Sequence, residues 1–254
     1  MPEITMPVGY GANVSGPLRI YHEFRGDVLT SKRLGGAATG ATGDRNLLLS
    51  PGWGFQQPLA LEYFILGAGQ TILAPVLTAN GLNIGLDQAA AEGLELTMGI
   101  NARSPVAFVV GTDRPFYFAV RVKVEDASGV NPLLVGFRKA EAYRADFNDY
   151  DEMAAIGIQG TADPNTIKLA TILNNAATVV TDTTNTWADL AAKTLKAKVG
   201  ANRAVTYELD GAAPAAVAAY AFDAGEVVVP FVHLLNAADL GGAVELISWD
   251  CGYQ

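Results

Sequence analysis

Alternating apolar and polar positions dominate this chain, most clearly from Phe116 to Val124. Phe116, Phe118, Val120, Val122 and Val124 take every second position, with Tyr117, Ala119, Arg121 and Lys123 between them. Side chains alternate across a strand, so the spacing predicts a strand with one apolar face and one face that turns polar toward its far end. The same period predicts strands over Leu82–Asp87, Leu94–Ile100, Thr166–Leu173, Thr194–Val199 and Val205–Leu209. Shorter apolar runs at Val106–Val110, Leu133–Arg138, Ala154–Ile158 and Ala177–Thr181 read as further strands, and Glu226–Leu235 and Val244–Tyr253 complete the set. The two runs around residues 88–93 read either as a long-looped hairpin or as a crossing from sheet to sheet. Asn174-Asn175 and Asp210-Gly211 supply turns, the latter suited to a tight hairpin. Ala140–Met153 is acidic and aromatic, with Tyr143, Phe147 and Tyr150 near helical spacing, which predicts a short helix over a sheet edge. About a dozen short strands with polar, Gly-rich connections predict an all-β, two-sheet antiparallel sandwich or jelly roll.

Residues 1–45 depart from this pattern. Gly9, Gly11, Gly16, Gly26, Gly35, Gly36, Gly40 and Gly43 punctuate them, and Leu18–Phe24 is the one stretch with strand character. They read as an extended N-terminal arm ahead of a jelly-roll domain at 46–254. Within that domain Leu47–Leu49, Leu59–Leu66 and Thr71–Leu77 are apolar segments separated by Ser50-Pro51-Gly52 and other turn residues.

Composition narrows the partners. Half of the 254 residues are hydrophobic and 17% are charged, below the usual quarter, so surface hidden in a homo-oligomer is expected. A net charge of −9 with no long basic cluster argues against nucleic acid. Cys251 is the sole cysteine, which rules out an intrachain disulfide. The first residues lack the features of a signal peptide, and the apolar run Ala212–Phe222 is too short to span a bilayer. The expectation is a chain that matures in a reducing cytoplasm and has no membrane partner.

Three stretches carry a resemblance. The Phe116–Val124 strand, then Leu134-Val135-Gly136-Phe137, then Thr194–Val199 joined to Val205–Gly211 resemble the concanavalin A-like (laminin-G/glucanase-like) jelly roll over residues 82–254. Thr71–Pro75 through Gly81–Ile84, together with Pro230–Leu235, Val244–Leu246 and Trp249, look like structural proteins of tailed phages. That second resemblance implies a virion component assembled in the host cytoplasm. Its expected form is a capsid decoration (cement) protein, a homotrimer held to the major capsid protein by the sandwich and the arm. The alternative is a glycan-binding, lectin-like module of a tail fibre or adhesin.

Catalytic chemistry finds little support in the residues. A glucanase needs alternating carboxylates in E-x-D-x-x-E, and the closest match, Glu208-Leu209-Asp210, has Ala213 at the third position. No G-x-S-x-G is present, and His22 and His233 are the only imidazoles. The expectation is no enzyme, no catalytic residue and no organic cofactor. Calcium is the one ion for which ligands crowd together, at Asp146, Asn148, Asp149 and Asp151, although Tyr150 breaks the EF-hand spacing. Trp53, Trp187 and Trp249 are expected in the core rather than as platforms for sugar stacking.

Overall fold

The structure, a computed structural model, describes residues 19–23, 29–34, 45–51, 59–66, 75–85, 90, 92–98, 106–144, 146–160, 165–236 and 242–254. In chain order the strands are β1 (Arg19–Glu23), β2 (Leu29–Leu34), β3 (Arg45–Pro51), β4 (Leu59–Leu66), β5 (Val76–Leu77), β6 (Leu82–Asn83), β7 (Gly93–Thr97), β8 (Phe108–Val109) and β9 (Phe116–Val124). They continue as β10 (Val130–Lys139), β11 (Met153–Ile158), β12 (Thr166–Ile172), β13 (Val179–Thr186), β14 (Ala192–Val199), β15 (Val205–Leu209), β16 (Val227–Asn236) and β17 (Val244–Tyr253). Every pairing is antiparallel among the described residues.

Two sheets form a jelly-roll sandwich. The seven-stranded sheet runs β15-β14-β9-β17-β6-β5, with β1 also on β17. The ten-stranded sheet runs β13-β12-β11-β10-β16-β7-β4-β3-β2, with β8 also on β16. Strand β9 occupies the stretch where alternation is clearest; its five apolar positions are all buried. Those side chains meet the inward faces of β10 and β11 in one core, in which Phe108 and Phe116 stack at 4.4 Å and Phe137 meets Phe116 edge-on. Trp187 and Trp249 are fully buried, as their size leads one to expect. Trp53 lies outside the described residues.

Of the two readings of the runs around residues 88–93, the structure has the crossing: β6 belongs to one sheet and β7 to the other, so the chain passes across the sandwich there. Parts of residues 1–45 are built into the sheets. Strand β1 pairs with β17, Ile20 packs against the core, and Arg19 makes a two-point ion pair with Asp250. Strand β2 pairs with β3. The rest of 1–45 lies outside the described residues, as do residues 237–241 of the stretch Ala237–Gly242, which in sequence reads as a short helical turn. Asp210 and Gly211 both have positive φ and close a two-residue turn between Leu209 and Ala212, as the dipeptide predicts.

Candidate functional site

The ten-stranded sheet is buried on both of its faces near its middle. Leu133, Val135 and Phe137 of β10 point into the sandwich, while Leu134 joins Phe147, Tyr150, Met153, Ala155, Ala170, Ile172 and Phe231 in a second apolar cluster on the outside. The cover is the segment between β10 and β11. Its aromatic residues do not make the expected helix: among the described residues the helical geometry there is a 3-10 turn at Phe147–Asp149, capped by Asp146. The segment lies on the outer face of the sheet rather than over its edge. Phe147 packs edge-on to His233 of β16 at 5.6 Å, and Tyr143 stacks on Phe64 of β4 at 4.6 Å.

Under this cover sits a buried polar cluster. Arg138 and Glu95 are fully buried and joined by a 2.8 Å contact from Nε to Oε1. The Tyr150 hydroxyl donates to Glu95 Oε2 at 2.8 Å, and Nδ1 of His233 lies 3.3 Å from the same oxygen. The Arg138 guanidinium also lies over the Tyr150 ring and donates to the carbonyls of Lys139 and Glu141. Burial alone would raise the Glu95 carboxyl, but Arg138, with help from His233 and Tyr150, outweighs it and holds the group below the ordinary carboxylate value. The cluster ties β7, β10 and β16 to the covering segment through charge-assisted bonds. The bond from Arg144 N–H to the Tyr150 hydroxyl, at 3.3 Å, extends the tie to the outside.

Directly outside lies an open depression of about 460 Å³, lined by Glu141, Arg144, Asp149, Asp151 and Asn175. Glu141 Oε1 accepts from the Asp151 N–H at 2.7 Å, and Arg144 reaches Glu141 Oε2 at 3.2 Å. Asp151 pairs with Lys139, which also contacts Glu226 at 3.1 Å. Asn175 arrives from the β12–β13 turn, where Asn174 and Asn175 both adopt positive φ, and its N–H donates to the Asp151 carbonyl at 2.7 Å. Three carboxylates, a guanidinium and an amide therefore surround one polar hollow. Carboxylates accept from hydroxyls, while the guanidinium and amide donate to them, so the set suits a neutral, hydroxyl-rich ligand.

The four calcium candidates divide here. Asp149 and Asp151 line the depression; Asp146 and Asn148 do not. Asp146 accepts from the backbone and side-chain N–H groups of Asn148 at 2.9 and 2.7 Å, and Asn148 Oδ1 accepts from Thr178 at 2.6 Å. Among the described residues no three or more His, Cys, Asp or Glu side chains group so as to hold a metal ion. Asp146 caps the 3-10 turn, Asn148 ties it to Thr178, and Asp151 pairs with Lys139.

The glycosidase candidates lie elsewhere. Glu208 is on the outer face of the seven-stranded sheet, where Lys198, followed by burial and Lys196, sets its proton affinity; the two lysines prevail and hold it below the usual carboxylate range. A carboxyl so held cannot serve as a general acid near neutral pH. Asp210 accepts from Lys193 and the Thr194 N–H at the turn. Sequence reasoning missed the Glu95–Arg138–His233 cluster, because Glu95 follows the period of a solvent-facing position. A signal was present in Leu133-Leu134-Val135 and Ala154-Ala155-Ile156, which are apolar at consecutive positions, the mark of a sheet covered on both faces.

No protein-family model matches the chain, and no curated protein matches it in sequence. Solved structures do match. The carbohydrate recognition domain of Emp46p in its potassium-bound form has a TM-score of 0.51 at 6% identity, covering 75% of this chain and 88% of that one. The CBM2 module of the evolved Dit of Lactobacillus casei BL23 phage J-1 has a TM-score of 0.45 at 10% identity, covering 74% and 82%. The Caenorhabditis elegans galectin LEC-6 has a TM-score of 0.36 at 11% identity, covering 60% and 93%. At such identities the first shows a shared fold, and the other two carry no further argument. The class is thus an all-β jelly-roll sandwich of the kind found in carbohydrate recognition domains.

Proposed function

We infer that this protein is a non-enzymatic, lectin-like module that binds a neutral glycan in the depression beside the β12–β13 turn. The observation that carries this reading is the lining itself: Glu141, Asp149, Asp151, Arg144 and Asn175 converge on one open polar hollow. The sandwich it shares with the Emp46p carbohydrate recognition domain supports the same reading. The buried cluster underneath supplies rigidity, since a binding loop held by packed and hydrogen-bonded side chains loses less freedom on binding.

A glycan array, followed by calorimetry on the best ligand, tests this. Asp149 is exposed and its carboxylate bonds no other described side chain, so Asp149→Asn should weaken binding at least about tenfold, or about 1.4 kcal/mol, with an unchanged melting temperature. A chelator should leave binding intact. Loss of binding on chelation would return calcium to Asp146, Asn148, Asp149 and Asp151, and an empty array would remove the reading.

The low charge content, 17%, favours a second reading, in which the sandwich is a structural component of a virion that decorates a phage capsid as a homo-oligomer. Co-sedimentation with capsids lacking the protein separates the two, because a glycan-binding module has no need of the capsid surface.

A further inference from the structure

We propose that the free edge of β13 is a self-association surface, at which a second copy of this chain pairs antiparallel across a twofold axis. Strand β13 closes the ten-stranded sheet on one side, and among the described residues no strand lies beyond it. Val179–Asp182 make no backbone hydrogen bond on that outer side to any described residue. Such an edge is a template for an extended chain, and proteins usually guard it with lysine, proline or a covering loop. Here the guards are sparse. The sequence Val-Val-Thr-Asp-Thr-Thr-Asn-Thr has no lysine and no proline, and a single charge. A register shift between Ile167 and Lys168, with Thr184 at a φ of 62°, bends only the far half. The Asn185 side chain there accepts from Ala215 N–H.

The near half is also where apolar surface collects. Among the described residues six large hydrophobic side chains are exposed, and three of them, Leu173, Val179 and Val180, lie at this end of the β12–β13 hairpin, Val179 and Val180 on opposite faces of the strand. A second copy fits the edge because the strip is nearly neutral on a chain of net charge −9. Pairing through Val180 sets Val179 opposite Thr181 of the second copy and Thr178 opposite Asp182, so the two Asp182 carboxylates stay apart. A contact of this length lies at the small end of interfaces, so the dimer should be weak, with a dissociation constant on the order of 10 µM. One consequence rests on the glycan reading: Asn175 adjoins this edge, so the dimer would carry two hollows flanking one continuous sheet and bind multivalent glycans by avidity.

Sedimentation velocity across a concentration series tests the surface without any glycan. The expected result is a monomer–dimer equilibrium, with amides of Thr178–Asp182 more protected from hydrogen exchange at high concentration. Val180→Lys should abolish the dimer with melting unchanged, and Val76→Lys, at an exposed valine on the other sheet, should retain it. A wild-type monomer at about ten times that concentration, or a dimer that survives Val180→Lys, overturns the proposal. A dimer without glycan binding would overturn only the avidity consequence.

Discussion

Arg138 carries more of the site than any residue that touches the hollow. Its guanidinium is fully buried, bonds Glu95, covers the Tyr150 ring and reaches the Lys139 and Glu141 carbonyls. Removing one partner from such a pair leaves the other charge buried and uncompensated, which costs far more than the pair gives. Arg138→Met should therefore lose about 3–5 kcal/mol in urea unfolding, whereas Glu95→Leu with Arg138→Met should recover most of the loss. The same pair sets an acid limit. Glu95 in the folded chain lies below its ordinary value of 4.5, so the native state binds fewer protons than the unfolded one. Its contribution is complete above about pH 4.5 and is lost as pH falls through the lower folded value. Unfolding followed from pH 6 downward should show stability dropping below about pH 4.5 in the wild type and a shallower drop in the double variant. An identical slope in both would remove Glu95 as the cause.

At the scale of elements, the outer face of the ten-stranded sheet depends on small residues that let strands and the covering segment approach closely. Gly157 of β11 pairs with Leu134, and a Cβ there would stand 1.8 Å from the Leu133 carbonyl oxygen. That neighbour is backbone and cannot swing aside, so Gly157→Ala should shift the β10–β11 ladder and cost about 1–3 kcal/mol or more by overpacking, read as a lower denaturation midpoint. The sequence made much of the sandwich legible. Strand β9, β12 with its Asn174-Asn175 turn, and the Asp210-Gly211 turn all follow from local alternation and turn chemistry. The site was legible only in part. Asp149 and Asp151 stood out as a cluster of oxygen ligands, but Glu141 and Arg144 join them through the way the covering segment folds on the sheet, and Asn175 through the distant β12–β13 turn, placements that no local pattern encodes. Alternation also misled at Glu95: period two assigns a face, and only the fold decides whether that face meets water.

For the whole molecule, 254 residues would allow two cooperative units, since single cores seldom grow beyond this length. The packing argues for one. A single apolar cluster takes side chains from both sheets, and Phe137 of one sheet meets Phe116 and Phe118 of the other edge-on at 5.1 and 6.2 Å. Trp249 of β17 packs on Phe118 at 4.4 Å, and Trp187 joins the same cluster, its indole N–H donating to the Ala191 carbonyl at 3.0 Å. Neither sheet can lose its inner face without exposing the other. In a Trp53→Phe background, tryptophan fluorescence reports Trp187 and Trp249 alone, while far-ultraviolet circular dichroism reports all the strands. The two signals should give one coincident transition in urea, with a single midpoint and slope. Separate midpoints would mean that the sheets unfold independently and that the shared core contributes less than its continuity implies.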